Sequence, residues 1–365
     1  MNILKKLTDF KKFIKVIKKI MATKDLIQKI EDRRGSKVIT YLTSDRQGPI
    51  NAKIAMDVIP VISSQLRNIR KTEKIDLFLY STGGDTMVPW RLVSMIREYC
   101  DIFSVLVPYR AHSAATMIAL GADEIVMSDL SELSPIDPST ANVFNPQDSK
   151  NPQNRIPISV EDVMAYFDLA KNKFGIKSDE ELVKVFNKFV ESNPQIHPLA
   201  LGNVNRTHNL IRILAKRLLK SQRNPMTEEE INKIVDSLTE KLYSHQYLIG
   251  RKEARDDLGI KTIQFADKEL ADLMTELYEE YKREMGLGIL WNPENELGEN
   301  QAINKKEYKI AYIESGLAAN YFELILEYKK SQVPMTQQTP QGPIQVSQER
   351  VMWRVVGQGW KGVKN

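Results

Sequence analysis

Short runs of apolar residues alternate, between residues 37 and 127, with segments in which apolar positions recur every three or four residues. The short runs predict β-strands at 37–42, 75–80, 102–107 and 124–127. The periodic segments predict helices at 55–69, 87–99 and 114–120. Strands that alternate with helices at this spacing form parallel βαβ units, so the pattern predicts an α/β fold.

From about residue 156 the pattern becomes mainly helical, after a polar loop at 142–155 that is rich in proline and asparagine. Ser159, Ser178 and Thr227 are each followed three residues later by an acidic residue, as in a capping box. They predict helices that begin near residues 160, 179 and 228. Further elements are predicted as helices at 207–219, 252–258 and 267–285 and a strand at 261–265.

The two ends of the chain have a different character. The first 24 residues contain eight lysines and one acidic residue, and their apolar residues have helical spacing. This basic amphipathic helix fits either an anionic membrane surface or a partner subunit. Residues 286–330 are predicted as a helical extension. Residues 331–348 are rich in proline and glutamine and predict a linker, and the tail with Trp353 and Trp360 reads as a docking segment or as disordered.

These patterns divide the chain into an N-terminal helix (1–35), a main domain (36–285) with a helical region at 156–265, the extension (286–330) and the tail (331–365). No segment reaches the roughly 20 apolar residues that a membrane span needs. The N-terminus also lacks the apolar core and cleavage site of a secretory signal, so we expect a cytoplasmic protein, or one peripheral at the inner face of the membrane.

Composition narrows the chemistry that the chain can carry. The single cysteine, Cys100, excludes an intramolecular disulfide and a cysteine-rich metal cluster. The four histidines show no HExxH spacing, and the loop after the strand at 75–80 contains neither GxGxxG nor GxxxxGK[ST]. These patterns argue against a zincin-type metal site and a phosphate-binding loop. We expect no metal, no organic cofactor and no nucleic acid partner.

Two predicted loops follow parallel strands and carry candidate chemistry. Gly83 and Gly84 follow the strand at 75–80, and Ser113 stands directly before the alanine-rich helix at 114–120. Open α/β sheets place their sites at the carboxyl ends of the strands, where both loops lie. Paired glycines can turn backbone N–H groups toward an oxyanion. Ser113 is thus either a nucleophile or simply the N-cap of its helix.

The region resembles the serine dehydrogenase proteinase family, within the Clp protease and crotonase-like superfamily that also contains the signal peptide peptidases. The resemblance covers about 36–265 and is carried by YSTGGD (80–85), VPYRAHSAATMIALGADEIVM (107–127), LSPIDPS (133–139) and, more weakly, SHQYLIGRKEARDDLGI (244–260). It implies a ClpP-like spiral of ββα units, with Ser113 as the nucleophile. It also implies an oxyanion hole at Gly83, Gly84 and the Ala114 N–H.

The sequence departs from the family at Thr82, where proline is usual, and at Ala114-Ala115, where glycine usually follows the serine. The resemblance implies His245 as the base, oriented by Asp137 or Asp123, although His245 could instead cap the preceding helix. A Ser–Lys dyad is the rival arrangement, with Lys216 or Lys220 as the base. His112, next to the serine, is expected to point away from it or to gate the site.

The function implied is serine-type hydrolysis of protein or peptide substrates. The fold's relatives assemble into rings or stacks, so the resemblance also implies a homo-oligomer. Two alternatives stay open at this stage. One is a crotonase-like acyl-CoA enzyme, and the other is an inactive scaffold that docks on a membrane through residues 1–24 or on a partner protein.

Overall fold

A computed structural model of the chain describes residues 23–136, 139–140, 143–148, 154–156, 158–192, 197–242, 244, 247–339 and 342–363. Three sets of residues that the sequence singles out lie outside this description. They are most of the basic N-terminal segment, Asp137 and His245.

The bounds of the elements follow the chain. The helices are α1 (23–34), α2 (Val58–Ile69), α3 (Val88–Arg97), α4 (Ala114–Leu120), α5 (Val160–Asp168), α6 (Asp179–Ser192), α7 (Pro198–Lys220), α8 (Glu228–Asp236), α9 (Lys268–Met285) and α10 (Pro293–Leu297). The strands are β1 (Lys37–Thr43), β2 (Thr72–Tyr80), β3 (Cys100–Val107), β4 (Arg110–Ala111), β5 (Glu124–Met127), β6 (Glu132–Leu133), β7 (Ser139–Thr140), β8 (Ile158–Ser159), β9 (Ile249–Gly250), β10 (Ile263–Phe265), β11 (Ala302–Ser315), β12 (Ala319–Thr339) and β13 (Gly342–Val363). Single π-helical turns occur at Leu169–Lys173, Ser237–Lys241 and Glu253–Asp257.

The chain folds into two compact units, and neither is continuous in sequence. The first consists of Met1–Ser81, Glu98–Asp101 and Ala266–Asn365, and the second of Thr82–Arg97 and Ile102–Phe265. The predicted α/β architecture is present in both, because parallel strands alternate with helices in each. The predicted strands and helices between residues 37 and 127 are confirmed, with shifts of a few residues at some ends.

In the first unit, β1 pairs with β2 in parallel and with β11 in antiparallel fashion. Strands β11, β12 and β13 then continue as an antiparallel meander. One face of the meander packs on a core that includes Ile50, Leu297 and Ile310. A buried ion pair ties α1 to β2, because Arg34 contacts Asp76 at 2.9 Å and Ser36 donates a hydrogen bond to the same carboxylate.

The predictions for residues 286–348 are wrong. Residues 286–330 are not a helical extension, because the short helix α10 is followed there by β11 and the first part of β12. The segment 331–348 is not a linker, because its described residues belong to the long hairpin of β12 and β13. The apolar residues of β12 alternate, so that Leu324, Leu326 and Tyr328 face the core. That period of two is the pattern of a half-buried strand, and it ends where the glutamine-rich part of the hairpin begins.

The tryptophan tail is also ordered into the sheet rather than disordered. Trp360 donates its indole N–H to Asp57 at 2.9 Å, and its ring meets Phe322 edge-on. Trp353 meets Trp291 in the same way. Both tryptophans lie in β13 and help to close the outer part of the first unit.

The second unit is built on the parallel strands β3, β5 and β10. Helix α4 is fully buried and packs against α3 and α7. Close to it lies a small sheet in which β6 pairs in parallel with β4 and antiparallel with β9. The predicted capping box at Thr227 is confirmed, whereas the predicted helix at 252–258 is a π-helical turn that ends before Gly259.

Candidate active site

Ser113 stands on a sharp turn between β4 and α4, all within the second unit. Its backbone has φ 53° and ψ −114°, which is rare for a residue with a side chain and costs about 1–3 kcal/mol. Although Ser113 occupies the N-cap position of α4, its side chain makes no capping hydrogen bond. The simple N-cap interpretation therefore does not describe what this hydroxyl does.

Gly83 lies directly against Ser113. A Cβ added to Gly83 would come within 2.8 Å of Ser113 Cβ and 3.2 Å of its Oγ. The φ of Gly83 is +97°, which also disfavours any side chain. The geometry explains why a glycine follows the strand here, since only a residue without a side chain lets this backbone approach the serine. Gly84 follows with a φ of 157°.

A buried pair of hydroxyl groups holds the turn that bears Ser113. Ser134 Oγ accepts a hydrogen bond from the Ser113 N–H at 2.8 Å. Thr116 Oγ1 donates to the Ala111 carbonyl at 2.7 Å and accepts from the Ser134 N–H at 3.1 Å. Neither hydroxyl was singled out from the sequence, although Ser134 lies inside the LSPIDPS motif.

His112 points to a charged cluster beside the turn. Its Nε2 lies 3.2 Å from Glu132 Oε1, and the same oxygen accepts a hydrogen bond from Arg110 Nε at 3.0 Å. Arg110 in turn donates to the Tyr109 hydroxyl at 2.6 Å. The cluster is a further feature that the sequence did not reveal, since its members are paired across β4 and β6.

The two lysine candidates for the base lie on α7, and their surroundings differ. Lys220 is exposed, and its ammonium lies 2.5 Å from Glu228, so it belongs to a surface ion pair. Lys216 is half-buried. The orienting candidate Asp123 is occupied elsewhere, because it accepts hydrogen bonds from Arg97 and from the Phe103 and Arg223 backbone amides.

The register of the small sheet shows which chain segments converge near the serine. Ala111 is opposite Leu133, and Leu133 is opposite Ile249. Because β4 and β6 are parallel and β9 is antiparallel to β6, the segments after Ala111, after Leu133 and before Ile249 leave the same end of the sheet. In sequence, these segments carry Ser113, Asp137 and His245 respectively.

The described residues on either side of those two positions support this convergence. The Ile136 N–H donates to the Leu238 carbonyl at 3.0 Å, so the residue before Asp137 contacts the π-helical turn at Ser237–Lys241, which precedes His245 in sequence. The Tyr247 N–H donates to the Ser244 carbonyl at 3.0 Å. A hydrogen bond to Glu253 raises the pKa of the Tyr247 phenol.

Two features are absent from the described residues, a metal-binding cluster and a membrane-spanning helix. Within the ranges given above, no three His, Cys, Asp or Glu side chains come together as a metal ion would need. None of the helices in the described part of the chain combines the length and apolar character required to cross a bilayer.

The second unit thus places a strained serine turn against a glycine loop on parallel βα units. Residues 7–183 match the family described as ClpP-like SDH-type serine proteinase. That match confirms the resemblance found in the sequence.

The chain is similar to several other proteins. The uncharacterized protein MJ0137 of Methanocaldococcus jannaschii is 25% identical over 271 residues, which cover 73% of this chain and 82% of that protein. Among solved structures, the membrane-bound stomatin-specific protease 1510-N is 16% identical, with a TM-score of 0.34 and coverage of 63% of this chain and 78% of the other. ClpP1 from Listeria monocytogenes is 17% identical, with a TM-score of 0.33 and coverage of 67% and 98%.

Proposed function

We propose that the chain is a serine peptidase in which Ser113 is the nucleophile. The observation that carries this proposal is the contact between Ser113 and Gly83, in which a strained serine with an uncapped side chain meets a glycine at positive φ. Strained backbone of this kind persists where the surrounding structure enforces it, often at active sites. In the proposed reaction, Ser113 Oγ attacks the scissile carbonyl carbon and forms an acyl-enzyme that water then hydrolyses.

The oxyanion would be held by backbone amides. The Ser113 N–H is already committed to Ser134, so it is not the donor. Ala114 is the first residue of α4, and its N–H therefore has no carbonyl within the helix to bind. We assign the Ala114 and Gly84 amides as the two donors, with Gly83 providing the space for them. Ala114 and Ala115 are fully buried, which supports a packing role for their methyl groups.

We propose His245 as the base and Asp137 as the residue that orients it. The support is the register of the small sheet. The three segments that carry this serine, aspartate and histidine in sequence all leave the sheet at the same end. A histidine accepts the serine proton and passes it to the leaving amine, while a carboxylate fixes its tautomer. Lys216 is the remaining rival, because Lys220 is engaged by Glu228 at the surface.

Hydrolysis of casein by the full chain tests the proposal. Wild type should release peptides, and Ser113→Ala should release none. Equal cleavage by both proteins would overturn the assignment of the nucleophile. His245→Ala and Lys216→Ala, measured side by side, identify the base, because only the variant that removes it should lose activity over the whole pH range.

We also propose that the protein works as a homo-oligomer on protein substrates and that residues 1–24 can bring it to an anionic membrane surface. The support for the second statement is the basic amphipathic pattern of that segment. Co-sedimentation with anionic vesicles should be lost when residues 1–24 are deleted. No binding of the intact chain to such vesicles would contradict it.

A further inference from the structure

The hydroxyl of Ser134 makes one of the contacts that hold the nucleophile in place. We infer that Ser134 is a positioning residue, which fixes the strained backbone of Ser113 and thereby aims its Oγ. The inference rests on the proposed function of Ser113 as the nucleophile. Ser134 lies outside the proposed catalytic triad and outside the proposed oxyanion hole, but the rate of the first chemical step depends on it.

The backbone of Ser113 needs an external partner to keep its conformation. A φ of 53° combined with a ψ of −114° lies away from every favoured region for a residue with a Cβ. Such a conformation persists only when neighbouring contacts over-determine it. The 2.8 Å hydrogen bond from the Ser113 N–H to Ser134 Oγ is a contact of this kind. It fixes the peptide group before Ser113, and φ of Ser113 is the rotation about the bond between that peptide nitrogen and Cα.

Ser134 is itself held rigidly. Its side chain is 1% exposed, and its hydroxyl donates to the Pro135 carbonyl at 2.9 Å, which orients the lone pairs toward Ser113. Its own N–H is bound to Thr116 Oγ1 at 3.1 Å. Thr116 is fully buried, and its hydroxyl also binds the Ala111 carbonyl at the end of β4. The acceptor that holds Ser113 is thus fixed to both β4 and β6.

The chain offers a closely matched control three residues away. Ser131 is 3% exposed, accepts the backbone N–H of Ser128 at 2.7 Å and donates to the Val107 carbonyl. It therefore makes the same two kinds of hydrogen bond from a buried position at the other end of β6. It differs from Ser134 in one respect that matters, since it does not touch Ser113.

The test measures the second-order rate at which a fluorophosphonate probe labels Ser113 in wild type, Ser134→Ala, Ser134→Thr and Ser131→Ala, across a range of pH. We expect Ser134→Ala to label on the order of 10–100-fold more slowly, as misplacement of a reacting atom by about 1 Å does. Its apparent pKa for labelling should equal that of wild type, because the base is unchanged. Ser131→Ala should label at the wild-type rate, although it loses a comparable buried hydrogen bond.

Ser134→Thr keeps the hydroxyl and should recover most of the rate. If Ser134→Ala does not fold, Ser134→Cys takes its place, since a thiol keeps the volume but is a weak acceptor, and the same slower labelling is expected. Equal rates for wild type and the Ser134 variants overturn the inference, and so does an equal slowing in Ser131→Ala. Failure of wild type to label is a distinguishable result, because it contradicts the proposed nucleophile itself and overturns with it the positioning role of Ser134.

Discussion

Replacement of Gly83 by alanine should destroy the candidate site by a steric route that the structure defines. The new methyl group would meet Ser113 Cβ at 2.8 Å and the His112 carbonyl at 3.0 Å. Neither is the tip of a flexible side chain, so one of the two loops has to move. Because Ser113 is already strained, we expect the displacement to fall on the turn that carries the nucleophile.

The magnitude follows from two contributions. A residue with a Cβ at positive φ costs roughly 1–2 kcal/mol, and a methyl group forced into a packed position costs about 1–3 kcal/mol more. Gly83→Ala should therefore lower the free energy of unfolding by about 2–5 kcal/mol. Gly259→Ala is the matched control, because Gly259 also has positive φ (+76°) but has no atom within 4 Å of the added Cβ.

Two assays separate these contributions. Urea denaturation of each variant measures the free energy of unfolding, and fluorophosphonate labelling of the folded protein measures access to a reactive Ser113. Gly259→Ala should show the backbone cost alone and should label as wild type does. If Gly83→Ala loses no more stability than Gly259→Ala and labels at the wild-type rate, the contact between Gly83 and Ser113 is not the core of a site.

Three further outcomes follow from the described contacts. Arg34→Met should lower the free energy of unfolding by about 3–5 kcal/mol, because it leaves the buried Asp76 carboxylate without its ion-pair partner. Arg33→Met breaks only pairs with exposed carboxylates and should change the free energy of unfolding little. A similar loss in both variants would refute this. Lys220→Ala should label with fluorophosphonate as wild type does, because its ammonium serves the pair with Glu228, and lost labelling would restore it as a base. Burial raises the pKa of six tyrosines in the first unit, which stay neutral when folded but ionise near pH 10 when unfolded. Their contribution to the free energy of unfolding should be fully present below pH 10 and should fall above it, by up to about 1.4 kcal/mol per pH unit for each tyrosine. A free energy of unfolding that stays flat from pH 9 to 11.5 would contradict this. They are Tyr41, Tyr80, Tyr281, Tyr308, Tyr312 and Tyr328.

The part of the fold that repeats strand and helix was predictable, because local periodicity there agrees with the tertiary structure. The bounds of α4 and β5 match the prediction at every residue. The C-terminal hairpin was not predictable in the same way. The strands of its outer half pair only with each other among the described residues, so polar residues such as Gln332 and Gln345 occupy strand positions that the apolar pattern cannot reveal.

The candidate site shows the same division. Ser113 and the two glycines could be found from the sequence, because the loop after a parallel strand is a recognisable place for them. Ser134 and Glu132 could not, because their roles depend on the pairing of β4 with β6, two-residue strands that leave no periodic signal. Contacts across such short strands become visible only when the backbone is folded.

The most direct test of the central claim is labelling of the full chain with a fluorophosphonate probe, followed by peptide mass spectrometry. We predict a single adduct on the peptide that carries Ser113, absent in Ser113→Ala and abolished in His245→Ala. An unlabelled Ser113 in the folded wild-type protein would contradict the claim that this serine is an activated nucleophile.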